Sequence, residues 1–541
     1  MLFTAAAIGV WLVVNPRTPD LAAQVYRVGL FHQLGFALWD DNWYAGHHLL
    51  GYSLLYPPLG SLLGIRVLGA LCVLASTVLF ERLVRLAFGD AARWGGAWFA
   101  LAVLGDVWSG QMTFALGVSL ALAAGLALAH ERWLWAGVLA AVCAAASPVA
   151  GALLGLAGLT VTLWRRSPLA LAVLAGPAAV VVLVLVELFP EGGYEPYPIL
   201  SFTATMLVVG SFLWALPPGA RLLQVGAYLY VLACLGCLLV HSPVGSNVER
   251  YAMLAGPLLL CAALDAGADG GSPADADGGR LSGGWRSTAR WPSTIRWRWR
   301  VGPVAVVALC VSAVWVVWGP VRETQAVAGS EATSASYYAP VKRFLAGQRG
   351  GPVRVEVPLT RSHWEAAELA PTVLLARGWE KQLETRFDDV LLEPGLSAAR
   401  YDRWLHEQAV TYVALPDVRL DPSSAQEGRL IRGGLSYLRE VFASAHWRIF
   451  RVLAPTPLTS GPGTLTSLSH DSFTLDARAP GRFLVRVHFT RYWTVTSGSG
   501  CVAPAPGGWT TVSVGRPGMA VVSASFSLGR AFSSGGSCAG G

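Results

Sequence analysis

Residues Asp20 to Pro58 read DLAAQVYRVGLFHQLGFALWDDNWYAGHHLLGYSLLYPP. Asp20, His32, Asp40, Asp41, Tyr44, His47, His48 and Tyr56 all fall in this stretch. A short apolar segment, residues 2–14, precedes it and a long series of apolar runs follows. Ionisable groups set against a bilayer are costly and are retained mainly for function. The stretch therefore reads as an active-site loop on the outer face of a membrane. The alternative is a re-entrant or packing loop whose polar groups only satisfy one another.

Composition places the rest of the chain in the membrane. The 541 residues are 54% hydrophobic and only 13% charged, with a mean hydropathy of +0.49. A soluble protein of this size carries about twice that charge density. Apolar runs lie near 2–14, 60–80, 94–105, 113–129, 133–147, 149–164, 168–188, 199–216, 220–241, 251–265 and 301–319, about eleven helices in all. The first rises only about 20 Å, short of a full span. It has no basic flank before it and no small-residue cleavage site after it, so it is not read as a signal peptide.

The basic residues are nearly all Arg, with Lys only at 342 and 381. With the N-terminus inside, Arg82, Arg85, Arg93, Arg132, Arg165, Arg166 and Arg221 fall in inner loops, while the outer loops 106–112, 145–149 and 188–198 carry no Lys or Arg. That is the positive-inside pattern. It predicts a multi-pass protein of the bacterial plasma membrane with a cytoplasmic N-terminus and an extracytoplasmic C-terminal domain. Net charge of +7 is thereby explained by topology, and no nucleic-acid role is read from it.

Residues 266–300 read as a flexible cytoplasmic linker that turns basic and Trp-rich at Trp291, Trp297 and Trp299, suited to an anionic inner leaflet. From 320 the composition is that of a folded polar domain. PVRVEVPL (352–359), TYVALP (411–416) and WRIFRVL (447–453) read as strands, with helices near 337–346, 363–377, 396–408 and 433–443. Residues 320–465 thus form an α/β domain, and 466–541 a β-sandwich of alternating apolar and polar residues between Gly/Pro turns. Cys234 and Cys237 form a C-x-x-C inside an apolar run, without the context of a metal or redox site. Cys501 and Cys538 are placed to pair if their domain is extracytoplasmic.

Within the opening stretch, Leu21, Val25, Val28 and Phe31 recur at roughly helical spacing after Asp20. Such a helix suits a position flat on the interface, with Asp20 at its start, as a functional acid or as a helix-start residue only. Asp40 and Asp41 between Trp39 and Trp43, followed by His47 and His48, suit sugar binding or a divalent metal such as Mg or Mn; interfacial hydrogen bonding is the plain alternative for the histidines. Among the outer loops after the first, Arg250 in HSPVGSNVERYAMLAGP (241–257) has a guanidinium suited to a lipid phosphate, with Tyr251 and Asn247 as added donors. An ion pair with Glu249 is the alternative. FPEGGYEPYP (189–198) offers Glu191 and Glu195 to line an acceptor groove or simply to face water. SHWEAAELAP (362–371) is either a sugar-contacting edge or a capped helix start. No phosphate-binding loop, nucleophile elbow or zinc-hydrolase motif is present.

An apolar first helix, then TPDLAAQVYRVGLFHQLG, then LWDDNWYAGHHLLGYSLLYPPL, resembles bacterial integral-membrane proteins of the GT-C glycosyltransferase superfamily. The nearest branch is the YfhO-like and 6-pyruvoyl-tetrahydropterin-synthase-related membrane proteins common in actinobacteria. The resemblance implies a polytopic helical fold and an inverting transfer of sugar from a polyprenyl-phosphate donor to a cell-envelope glycan or lipid acceptor. By that match Asp20 is the general base, with Asp40 and Asp41 as competitors; residue chemistry adds Arg250 and Tyr251 on the donor phosphate, and Trp43, Tyr44, His47, His48 and Glu195 toward the acceptor. Asp40, Asp41 and His47 are the candidate metal ligands. Two other functions fit the layout: a transporter or flippase of envelope precursors, for which inverted repeats are expected but not found, and a non-catalytic glycan-binding envelope protein.

Overall fold

The computed structural model describes residues 2–216, 219–268, 302–533 and 535–540. It divides into two compact units. One comprises Met1–Pro16, Tyr52–Val184 and Glu195–Gln325; the other comprises Arg17–Gly51, Leu185–Tyr194 and Ala326–Gly541. This departs from the expected boundaries. Residues 17–51 of the first outer loop fold with the C-terminal region, while 52–59 stay with the membrane helices. The expected linker lies almost wholly outside the described residues.

The first unit is helical. Among the described residues, apolar helices occupy Leu2–Val14, Ile65–Phe88, Ala92–Trp108, Met112–Ala129, Trp133–Ala146, Pro148–Arg165, Leu169–Leu188, Ile199–Ala215, Arg221–Leu239, Ala255–Ala268 and Pro303–Val327. They coincide with the apolar runs read from sequence, although the last continues to Val327. Six segments, with Ile65–Trp108 counted as one, are long and apolar enough to cross a membrane. Val180, Leu183, Val186, Leu207, Leu232, Leu239 and Val314 stand exposed on these helices, a surface suited only to lipid. The protein is a polytopic helical membrane protein.

Small residues let these helices approach closely. A Cβ on Gly117 would lie 2.5 Å from the Ala150 Cβ, and one on Gly151 would lie 2.8 Å from the Ala144 Cβ. Close backbone contact of this kind substitutes for the missing hydrophobic drive between helices in lipid. A buried Ser76–Ser119 hydroxyl pair at 2.8 Å adds a polar tie.

The second unit holds a mixed sheet and a sandwich. The mixed sheet contains β3 (Arg354–Glu356), β4 (Leu374–Leu375), β5 (Val410–Pro416), β6 (Leu438–Ala443) and β7 (Trp447–Val452) in the order β4-β3-β5-β7-β6. β3 runs parallel to β4 and β5, and β7 runs antiparallel to β5 and β6. Two expectations fail here. Residues 363–377 hold only the short helix Glu365–Glu368 before turning into β4, and 433–443 is a short loop followed by β6 itself. Leu438, Arg439, Glu440 and Ala443 favour a helix intrinsically, but pairing with β7 overrides that preference.

The sandwich begins at β8 (Thr459–Ser460), earlier than expected. It continues through β9 (Gly463–Leu468), β10 (Ser472–Ala477), β11 (Gly481–His488), β12 (Trp493–Ser497), β13 (Gly500–Pro504), β14 (Trp509–Val514) and β15 (Gly518–Ala524). Its two sheets have the orders β12-β15-β10-β9 and β13-β14-β11-β8. Phe473, Leu475, Phe483, Val485, Val512 and Val522 fill the space between them. Cys501 and Cys538 are joined in a disulfide.

Candidate functional site

The opening loop enters the second unit through the helix Pro19–Leu34, with Pro19 and Asp20 in its first turn. Pro is suited to this place because its missing N–H would be unpaired there anyway. The helix does not keep its apolar face for a lipid surface. Leu21, Ala22, Tyr26 and Leu30 are buried, and the helix packs on Glu365–Glu368. The joint is tied at Arg17, whose guanidinium lies 3.6 Å over the Trp364 ring and pairs with Glu368 at 3.1 Å. The Trp364 indole N–H donates back to the Arg17 carbonyl. Asp20, at the head of this helix, is half-buried.

SHWEAAELAP serves this joint and presents no sugar-binding edge. Ser362, His363, Trp364 and Glu365 are all buried. Glu365 accepts from the Thr360 N–H and hydroxyl at 2.9 and 2.6 Å. His363 adopts a left-handed backbone, with φ of 56°. Its ring stacks on Trp379 at 3.4 Å, and its Nε2 lies 3.4 Å from Asp421.

Beyond the helix, β1 (Trp39–Asp40) pairs with β2 (His47–His48), Trp39 opposite His48 and Asp40 opposite His47. The reversal uses Tyr44, Ala45 and Gly46 at positive φ. Gly46 is required twice over, because its φ is 119° and a Cβ would lie 2.5 Å from the Trp39 indole.

This hairpin is threaded into the second unit. Trp39 joins the sandwich core, its ring 6.0 Å from Trp493. The Asn42 carbonyl accepts from the Leu375 N–H, and the Ala45 carbonyl accepts from the His488 N–H. Trp43 lies against Gly378, where a Cβ would come within 2.5 Å of the indole. The Tyr44 hydroxyl meets both the N–H and the carbonyl of Glu380. Trp43 and Tyr44 are fully buried and offer no face to a sugar ring. The structure thus gives them a packing place, not the acceptor contact expected of them.

The two adjacent acids have opposite environments. Asp40 accepts the Tyr26 hydroxyl at 2.7 Å, the Asn42 N–H at 3.0 Å and His470 Nδ1 at 3.0 Å. Burial pushes its carboxyl up, but the His470 hydrogen bond, the His47 and His470 charges and the Tyr26 hydroxyl outweigh burial and hold it below the usual range. Asp41 accepts only the Trp39 indole N–H, at 2.8 Å, with one oxygen left unpaired among the described residues. Burial drives its carboxyl well above the usual range, and the neighbouring Asp40 charge adds to the rise. The surroundings thus pull the first carboxyl down and push the second up.

The two histidines also part company. His48 pairs with Glu191 at 3.2 Å and meets the Thr490 hydroxyl at 3.1 Å. His47 is buried over Trp43, and neither ring nitrogen has a hydrogen-bond partner among the described residues. Arg27 forms a buried ion pair with Glu380. Asp40, Asp41 and His47 do not make a ligand set: among the described residues, no group of three or more His, Cys, Asp or Glu is arranged to hold a metal.

The remaining candidates lie in the first unit. Arg250 sits in the turn Gly245–Leu254, its guanidinium 5.0 Å over the Phe114 ring, with Asp106 and Glu249 in electrostatic range. Tyr251 packs on Tyr230 at 5.2 Å. Glu195 accepts the Ser246 hydroxyl at 3.1 Å. The expected acceptor loop therefore splits, because Glu191 goes with His48 in the second unit.

Sequence reasoning missed Tyr26, His470, Glu380 and Asp106 as partners of the residues it singled out. Tyr26 had a local signal, being on the same helix as Asp20. His470 had none, standing 430 positions from Asp40.

No protein-family model matches the sequence, and no curated protein matches it. Among solved structures, the chain is similar to the mycobacterial arabinofuranosyltransferase AftD, with 14% identity and a TM-score of 0.45 over 98% of this chain and 57% of that one. A mutant of the same enzyme matches with 14% identity and a TM-score of 0.36, over 96% of this chain and 58% of that one. The chain thus spans a little over half the length of the solved chains it matches.

Proposed function

We propose that this protein is a membrane glycosyltransferase of the GT-C type. It would transfer a sugar from a polyprenyl-phosphate donor to a cell-envelope acceptor, on the outer face of the plasma membrane. The observation that carries the assignment of roles is the division among the three acids of the opening loop. Asp40 and Asp41 are fully buried, whereas Asp20 keeps accessible surface at a helix start. The general base is therefore Asp20, and Asp40 and Asp41 hold the loop. The Cys501–Cys538 disulfide supports an oxidising, extracytoplasmic location for the sandwich.

The chemistry is a single displacement. An acceptor hydroxyl gives its proton to the Asp20 carboxylate as its oxygen bonds to the anomeric carbon. The bond from that carbon to the donor phosphate oxygen breaks, and the polyprenyl phosphate leaves with the electron pair. Configuration inverts. Arg250, in the first unit, is a separate candidate for holding a lipid phosphate, since a guanidinium matches its oxygens. Its neighbours Asp106 and Glu249 would set how much positive field it offers.

Asp20→Asn keeps the size of the side chain and removes its basicity. Transfer from a polyprenyl-phosphate sugar in isolated membranes is expected to fall by about 10²- to 10⁴-fold, with folding unchanged. Undiminished transfer removes Asp20 from this role.

A further inference from the structure

A buried charged cluster in the second unit has no part in the proposed reaction. The Arg377 guanidinium lies 3.1 Å from Glu384, 3.3 Å from Glu427 and 3.7 Å from Glu356, with Asp388 in electrostatic range. All five side chains are buried. Lys381 adds a second cation, 2.8 Å from Glu384. From the helix Ala398–Glu407, the Tyr401 hydroxyl donates to Glu427 at 2.7 Å and the Trp404 indole N–H donates to Asp388 at 3.2 Å. From the opening loop, the Tyr44 hydroxyl is in electrostatic range of Glu384, Asp388 and Arg377. Four acids thus meet two cations inside the fold, where uncompensated charge is strongly disfavoured.

The hydrogen bonds divide the four acids into two pairs. Glu384 accepts from Arg377 on one oxygen and from Lys381 on the other. Glu427 accepts from Tyr401 on one oxygen and from Arg377 on the other. These two carboxylates balance the two cations. Glu356 has no donor for either oxygen among the described residues, and Asp388 has none for its second oxygen. The Glu356 carboxyl instead meets that of Glu427, and two carboxyls can share a hydrogen bond only when one of them carries the proton. Glu427 is already an acceptor on both oxygens, so Glu356 is the donor. Burial pushes the Glu356 and Asp388 carboxyls well above the usual carboxylate range; the Glu427 charge adds to the first rise and the Glu384 charge to the second.

The same cluster fixes the segment on which the opening loop is seated. Arg377 is followed by Gly378, against which Trp43 packs, and by Glu380, whose backbone meets the Tyr44 hydroxyl and whose carboxylate pairs with Arg27.

We propose that Glu356 and Asp388 are held as neutral carboxylic acids, and that loss of their protons at alkaline pH loosens the segment 377–380 and the opening loop seated on it. The device is independent of the sugar transfer proposed above. A proton held more tightly in the folded protein than in the unfolded chain stabilises the fold at low pH. That stabilisation declines as pH rises from the unfolded value through the raised folded one.

Infrared spectra of the full chain in nanodiscs at neutral pH test the protonation. The carbonyl band of buried, protonated carboxyls is expected in the parent protein, weaker in Glu356→Gln and in Asp388→Asn, and kept in Glu427→Gln. Gln at 356 still donates to Glu427 but has no proton to lose. Amide exchange, corrected for its intrinsic pH dependence, tests the loosening. The Leu375 and His488 N–H groups donate to the Asn42 and Ala45 carbonyls, so their protection reports the seat of the loop. Protection is expected to fall several-fold in the parent between about pH 6 and about pH 9, and to fall less in Glu356→Gln. A parent protein without the protonated band overturns the proposal with no variant needed. A band lost in Glu427→Gln but kept in Glu356→Gln overturns it too, as does protection that falls equally in the parent and in Glu356→Gln.

Discussion

The start and the middle of the opening loop carry the same chemical group in different physical states. Asp20 sits at a helix head with surface left to solvent, whereas Asp40 and Asp41 lie inside the second unit with Trp39, Trp43 and the sandwich packed around them. In sequence the middle is the conspicuous part, with adjacent acids, aromatics and a histidine pair. In the structure part of that density is met inside the fold, as at Asp40 and His48, while both His47 ring nitrogens and one Asp41 oxygen find no partner among the described residues. The quieter acid is the one that keeps accessible surface.

The sharpest way to break this comparison is to remove Asp40. Asp40→Ala leaves His470 and the Tyr26 hydroxyl buried without their acceptor. Breaking a buried charged pair from one side costs about 3–5 kcal/mol, a large part of the stability of most domains. The loss should appear in denaturant titration of the full chain and as faster hydrogen exchange across β9, β10 and β15. A stable Asp40→Ala protein that has lost sugar transfer would instead return Asp40 to the reaction and undo the division of roles.

Much of the fold was legible because its signals are local. An apolar run needs no partner in sequence to declare a membrane helix, and Val410–Pro416 and Trp447–Val452 are rich in residues that fit a pleated, buried strand. Leu438–Ala443 was not legible, because only its pairing with β7 makes it a strand. The site was half legible for the same reason. Thr18-Pro19-Asp20 is recognisable as a helix entry, but the fate of Asp40 is decided by His470, and that of Asn42 by Ala370 at 2.5 Å. Nothing within reach of a sequence window joins those pairs. Adjacency in sequence groups the loop with the membrane helices, whereas residues 17–51 belong to the unit that holds residues 326–541.

Within the middle of the loop, pH separates Asp40 from Asp41. Asp40 is held below the usual value of 3.8 by its histidine and tyrosine partners against the upward push of burial. Its stabilisation is therefore complete above that value and is lost as pH falls below it. Asp41 is raised well above 3.8, chiefly by burial, so its contribution is best at low pH and declines as pH rises through its raised pKa. Each proton difference gives a slope of up to about 1.4 kcal/mol per pH unit. Melting temperatures between pH 3 and 8 should show that Asp40→Asn flattens the acid limb. Asp41→Asn should flatten the decline on the other side and leave neutral-pH stability equal or higher. Substitutions that change the same limb in the same direction would show the two acids to be equivalent.

The smallest effect is expected where the functional claim is strongest. Asp20→Ala removes a carboxylate from the first turn of Pro19–Leu34, a position worth about 0.3–1 kcal/mol through the helix dipole. Much of the hold on the helix lies elsewhere, since Leu21, Ala22, Tyr26 and Leu30 are buried and Arg17 is tied to Trp364 and Glu368. Thermal unfolding of Asp20→Ala should therefore lie close to that of the parent protein, far from Asp40→Ala, while sugar transfer is lost. If Asp20→Ala unfolds as readily as Asp40→Ala, both ends of the loop are structural, and the base must be sought among acids of the membrane unit such as Asp106 or Glu249.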